Sequence, residues 1–116
     1  MSGKKYTWHR IAGSAEELPL SETGSICELQ VSNKNICVAR HNNTLYAFTS
    51  KCPHAGGYLS DGYIDVRGYI VCPVHRYRFD MTNGRNVSGE GYYLKTYPLE
   101  IRETGLYVGF ESGGFF

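Results

Sequence analysis

The sequence has no run of about eighteen apolar residues, so none of it reads as a membrane-spanning helix. It also lacks a charge excess. Twelve Lys and Arg stand against eleven Asp and Glu, a formal net charge of +1, which gives no electrostatic reason to expect nucleic acid or an anionic membrane as a partner. Met1 to Arg10 carries no apolar signal region, so export by that route is not expected and a reducing cytoplasmic location is. Repeats and low-complexity tracts are missing as well. A chain of 116 residues is expected to form a single domain, 1–116, that buries a core without disulfides. Cysteine and histidine are scarce, at four each, and their positions carry most of the chemistry.

Cys52-Pro53-His54 and Cys72-Pro73-Val74-His75 place one thiol and one imidazole on each of two separate loops, in the same order both times. Soft sulfur with borderline nitrogen suits a tetrahedral zinc ion. A Cys2His2 zinc finger, however, takes a Cys pair followed by a His pair, and one ion has no need of the alternation seen here. A two-iron, two-sulfide cluster with one iron on both cysteines and the other on both histidines does need it, because each loop must then reach both irons. Replacing two thiolates by neutral imidazoles leaves such a cluster less negative and raises its reduction potential. The candidate metal and cofactor ligands are therefore Cys52, His54, Cys72 and His75, for one 2Fe-2S cluster per chain. Pro53 and Pro73 stiffen the segments between ligands, and Gly56 and Gly57 allow backbone amides to approach sulfur.

Cys27 and Cys37 lie in the apolar stretches 25–29 and 35–39 and are expected to be reduced, buried thiols; a disulfide between neighbouring strands is the alternative. A mononuclear iron oxygenase needs two further histidines and a carboxylate, and only His9, in a strand, and His41, at a turn, remain. The chain is also too short for a substrate domain. It is therefore expected not to be an enzyme in its own right.

The rest reads as β throughout, with ten Tyr, fourteen Gly and short alternating runs. Strands are expected at 6–11, 25–31, 34–40, 44–50, 63–66, 69–72, 77–81, 94–102 and 106–110. Turns are expected at Ser32-Asn33, Asn42-Asn43, Arg67-Gly68, Asn83-Gly84 and Thr104-Gly105. Ser14-Ala15-Glu16-Glu17 fits a capping box and predicts a helical turn. The tail 112–116 is assigned no function.

With these segments in view, the sequence resembles the Rieske ferredoxin family from about Trp8 to Phe110. The resemblance rests on Cys52-Pro-His-Ala-Gly-Gly, Cys72-Pro-Val-His75, the stretch Phe79 to Gly84 and Tyr97-Pro98-Leu99-Glu100-Ile101. It implies an all-β fold, the Rieske iron–sulfur fold, with an antiparallel sandwich or barrel base (about 6–50 and 79–110) and an inserted cluster-binding subdomain (about 51–78). It implies ligation through the imidazoles of His54 and His75, whose far edges carry the electron. The function implied is that of an electron carrier between a flavin- or NAD(P)H-dependent reductase and a terminal enzyme such as an oxygenase. Two alternatives stand beside it: the small subunit of an assimilatory nitrite reductase, and a cluster-bearing redox sensor or binding module. Respiratory and photosynthetic relatives carry an extra cysteine in each loop, joined as a disulfide; here those positions are Gly57 and Val74. Tyr92 or Tyr93 is a candidate to shield the cluster, and Tyr58, Leu59 and Val74, rimmed by Arg76, are expected either to meet the partner or only to shield the cluster from water. High-potential relatives place hydroxyl donors two and four residues after the last histidine, where this chain has Tyr77 and Phe79. A potential near the low end, about −150 mV, is expected.

Overall fold

The computed structural model describes residues 5–53, 56–74, 76–89 and 91–112; the tail 113–116 lies outside them. Ten antiparallel strands make three sheets, and no α-helix occurs among the described residues. The outer sheet has the order β1-β10-β9, from β1 (Tyr6–Ala12), β9 (Leu99–Arg102) and β10 (Gly105–Glu111). The central sheet has the order β2-β3-β4-β8, from β2 (Ile26–Val31), β3 (Lys34–His41), β4 (Thr44–Thr49) and β8 (Thr96–Tyr97). A third, smaller sheet contains β5 (Tyr63–Ile64), β6 (Tyr69–Val71) and β7 (Arg78–Asp80) in chain order.

The central sheet buries both faces, because β3 is apolar on both. Ile36, Cys37, Val38 and Ala39 are all buried in succession. Side chains alternate across a strand. Ile36 and Val38 accordingly face the outer sheet, packing with Val108 and Phe110. Cys37 and Ala39 face the third sheet, packing with Ile70 and Phe79. This settles the Cys27–Cys37 question. Cys27 pairs with Val38 and packs on the outer-sheet side, whereas Cys37 packs on the opposite side. Both are free thiols.

Two expectations are corrected. The stretch 94–102 is two strands belonging to different sheets. Tyr97 pairs with Ala47 in the central sheet and Leu99 pairs with Val108 in the outer one. Pro98 between them has no N–H to continue a ladder, so the chain changes sheet there; its carbonyl accepts from Gly109 N–H at 2.9 Å. The helical turn exists as a 3-10 turn, Ala15–Glu17, but Ser14 makes no side-chain cap. Only the Glu17 half of the box forms, one residue early, with Glu17 Oε1 accepting from Gly13 N–H at 2.8 Å.

Candidate metal centre

The two ligand loops close in the same way. Cys52 N–H donates to Gly57 O at 2.7 Å, and Cys72 N–H donates to Tyr77 O at 2.8 Å, so each cysteine binds the carbonyl five residues ahead. A histidine lies within each closed segment, at positions 54 and 75. Their placement, like that of Ala55 and Glu90, falls outside the described residues. The first loop is anchored below its closure, where Leu59 N–H donates to Ser50 O at 2.7 Å and Ser50 N–H to Asn35 O at 3.1 Å. The second follows β6 directly and returns through Arg76 at φ +57°, a left-handed conformation that costs a non-glycine residue about 1–2 kcal/mol.

Cys52 is 3 % exposed and Cys72 is fully buried, in one apolar cluster with Cys37, Leu59, Ile70, Phe79, Met81 and Leu94. The Cys72 thiol is hydrogen-bonded to Cys52, yet both are free. Burial, opposed by a backbone hydrogen bond from Val74 and aided by the neighbouring Cys52, pushes the Cys72 thiol up to about 11. Two thiols thus face each other in an apolar pocket. A metal cation bound there would stabilise them as thiolates and displace both protons. The donor chemistry fits a pair of thiolates on one iron.

The loops also touch each other directly. A Cβ added to Gly57 would lie 2.6 Å from Val74 Cγ2 and 3.6 Å from Cys72 Sγ, so the valine methyl fills the place a side chain would need. The two positions where the family's disulfide would stand are therefore neighbours, joined by van der Waals contact. Leu59 is fully buried beneath the first loop, because the 3-10 turn Leu59–Asp61 drives it into the core; of its two expected roles, partner contact is ruled out and exclusion of water is left. Tyr58 is 48 % exposed, and Pro53, Pro73 and Arg76 are exposed beside it. Tyr92 and Tyr93, the candidate covers, both expose large parts of their rings.

His9 stacks on Phe110 with centroids 5.0 Å apart, and His41 lies against Gly68 of the β5–β6 turn. Asp65 holds that turn. Its Oδ1 accepts from the N–H groups of Arg67 and Tyr69, each at 3.0 Å, and its Oδ2 pairs with Arg78 Nε at 3.4 Å. Arg78 and Asp65 are thus an ion pair. The turn at Arg67-Gly68 was expected; the sequence reading missed the Asp65 carboxylate that holds it, whose signal was Asp two residues ahead of Arg67.

A family model described as Rieske [2Fe-2S] domain matches residues 7–98. The chain belongs to this family. Its cofactor is accordingly a Rieske 2Fe-2S cluster. The Rieske chain is 32 % identical over 86 residues to the ferredoxin component of the naphthalene 1,2-dioxygenase system of Pseudomonas putida, covering 73 % of this chain and 82 % of that protein. Among solved structures it resembles the ferredoxin of carbazole 1,9a-dioxygenase from Nocardioides aromaticivorans IC177. That match has a TM-score of 0.72 and 25 % identity, and covers 88 % of this chain and 96 % of the other. A putative NADH-dependent nitrite reductase small subunit from Mycobacterium tuberculosis superposes with a TM-score of 0.79 over 94 % and 99 % of the two chains. At 15 % identity that likeness shows the fold alone.

Proposed function

We propose that the chain is a one-electron carrier in which Cys52 and Cys72 hold one iron of the cluster and His54 and His75 hold the other. The observation that supports this most is the pair of buried, unbridged thiols at the base of two identically closed loops. When bound, the cluster supplies a one-electron couple that the side chains themselves lack. The chain's own residues do the rest. Leu59, Ile70 and Phe79 exclude water on the core side of the cysteines. Val74 seated on Gly57 holds the two loops in register. Exposed Tyr58, Pro53 and Pro73 leave the outer side of the loops open to a partner. In this reading residues 51–78 serve as the cluster-bearing insert and 6–50 with 79–110 as its base.

The partners we infer are a flavin- or NAD(P)H-dependent reductase and a terminal oxygenase, in keeping with relatives named as ferredoxin components of dioxygenase systems. A cytoplasmic setting follows from the same partners. No helix among the described residues is long and apolar enough to cross a membrane. Anaerobic purification tests the assignment. The protein should contain two irons and two sulfides per chain and, once reduced, give the rhombic resonance of a cluster with mixed histidine and cysteine ligation. Cys52→Ser, His54→Ala, Cys72→Ser and His75→Ala should each lose it. A single zinc with no labile sulfide would end this reading.

A further inference from the structure

Phe79 stands at the centre of a row that crosses the third sheet. On one side it pairs with Ile70 and on the other it forms an isolated bridge with Asn86. Asp80 N–H donates to Arg85 O and Val87 N–H to Arg78 O, each at 2.9 Å, so Phe79 and Asn86 are the closely spaced, non-hydrogen-bonded pair of the ladder. Residues paired in this way project to the same face. Phe79 and Ile70 pack on that face in the cluster that contains Cys52 and Cys72. Asn86 therefore enters the cysteine side of the sheet, and it is only 5 % exposed.

The two ends of its carboxamide differ. Oδ1 accepts from Ser88 N–H at 2.9 Å and shapes the turn that follows. Nδ2 is buried and finds no acceptor among the described residues. A buried amide donor left unpaired costs about 1–3 kcal/mol, and proteins seldom keep one without a use. An apolar side chain would complete the row beside Ile70 and Phe79 at no such cost. The row it extends, Phe79 and Ile70, is apolar and packs in the cluster that holds the Cys52 and Cys72 sulfurs, so sulfur is the acceptor this row leads to.

We propose that Asn86 Nδ2 is a hydrogen-bond donor to a sulfur of the cluster, whether cysteinyl or inorganic, and sets its reduction potential. The inference rests on the cluster assignment made above. Reduction adds negative charge to the sulfurs, so a donor aimed at them favours the reduced form and raises the potential. Asn86 would then offset part of what is lost through Phe79, which has no hydroxyl.

The test compares wild type with Asn86→Ser and Asn86→Val, all loaded with iron and sulfide. Serine keeps an acceptor for Ser88 N–H but not the reach of the carboxamide donor, and valine removes both. The readouts are iron per chain, midpoint potential, and the shift of the iron–sulfur stretching frequencies in deuterium oxide. Both variants should keep two irons, show a midpoint shifted downward from wild type, and lose part of the deuterium shift. Midpoints and deuterium shifts equal to wild type in cluster-loaded variants would overturn the proposal. Loss of iron from both variants would overturn it too, by making Asn86 a folding residue of the Ser88 turn. Wild type that takes up no two-iron cluster would sink the carrier reading itself, an outcome visible before any variant is made.

Discussion

Gly57 and Val74 show how much one missing Cβ can decide. The valine methyl occupies the space of a side chain at 57, so Gly57→Ala must push the two ligand loops apart. Overpacking of this kind costs about 1–3 kcal/mol. The variant should unfold at lower denaturant and retain less iron, and adding Val74→Ala should restore both. A double variant no better than Gly57→Ala alone would mean that the contact does not couple the loops. Cys37 offers a test in pH. Burial, with Glu28, Cys27 and Asp61 nearby, pushes its thiol from 9.0 up to about 12. Below pH 9 both folded and unfolded chains keep that proton. Between 9 and about 12 only the unfolded chain has lost it, so its contribution to stability falls by about 1.4 kcal/mol per pH unit. Cys37→Val should flatten the decline measured by denaturant titration at pH 8 and pH 10.5. An unchanged slope would assign the decline to other groups.

At the scale of single elements, β7 joins the second ligand loop to the core and brings Phe79 beside the cysteines. With no hydroxyl at 79, the midpoint potential is expected near the low end for such centres, about −150 mV. Phe79→Tyr should raise it if its hydroxyl donates to a cysteine sulfur. A wild-type midpoint well above zero in spectroelectrochemical titration would contradict the prediction. The strands and turns were largely readable from alternating runs bounded by Asn-Gly and Arg-Gly pairs. Three features were not. Pro98 sits inside an apolar run that reads as one strand, and only the pairing partners reveal the change of sheet. Leu59 looks like a loop-tip residue by position and is core by virtue of a 3-10 turn. Asn86 reads as an ordinary turn former, and its orphaned donor depends on a cross-strand neighbour seven residues earlier.

The whole molecule is three stacked sheets, with the ligand loops at one side and the central sheet sealed on both faces. The loops are where a partner would be met in this reading, and Tyr58 is a large exposed aromatic on them. Tyr58→Glu should slow reduction by the cognate reductase by tenfold or more, about 1.4 kcal/mol, while the visible spectrum stays unchanged. Equal rates in stopped-flow would place docking elsewhere.

The pairing of β1 with β10 has a consequence for how the chain is made. Tyr6 waits for Glu111. Until β10 leaves the ribosome, β1 has no ladder partner and the Ile36–Val38 face of the central sheet stays uncovered. The strands that carry the ligand loops, by contrast, are complete once Tyr97 has emerged. Loop closure over so long a separation is slow compared with local hairpins. The strands that flank Cys52 and Cys72 thus have all their partners while the outer sheet is still open, and a nascent chain held up before Gly105 emerges would expose the Ile36–Val38 face as an unsealed apolar wall.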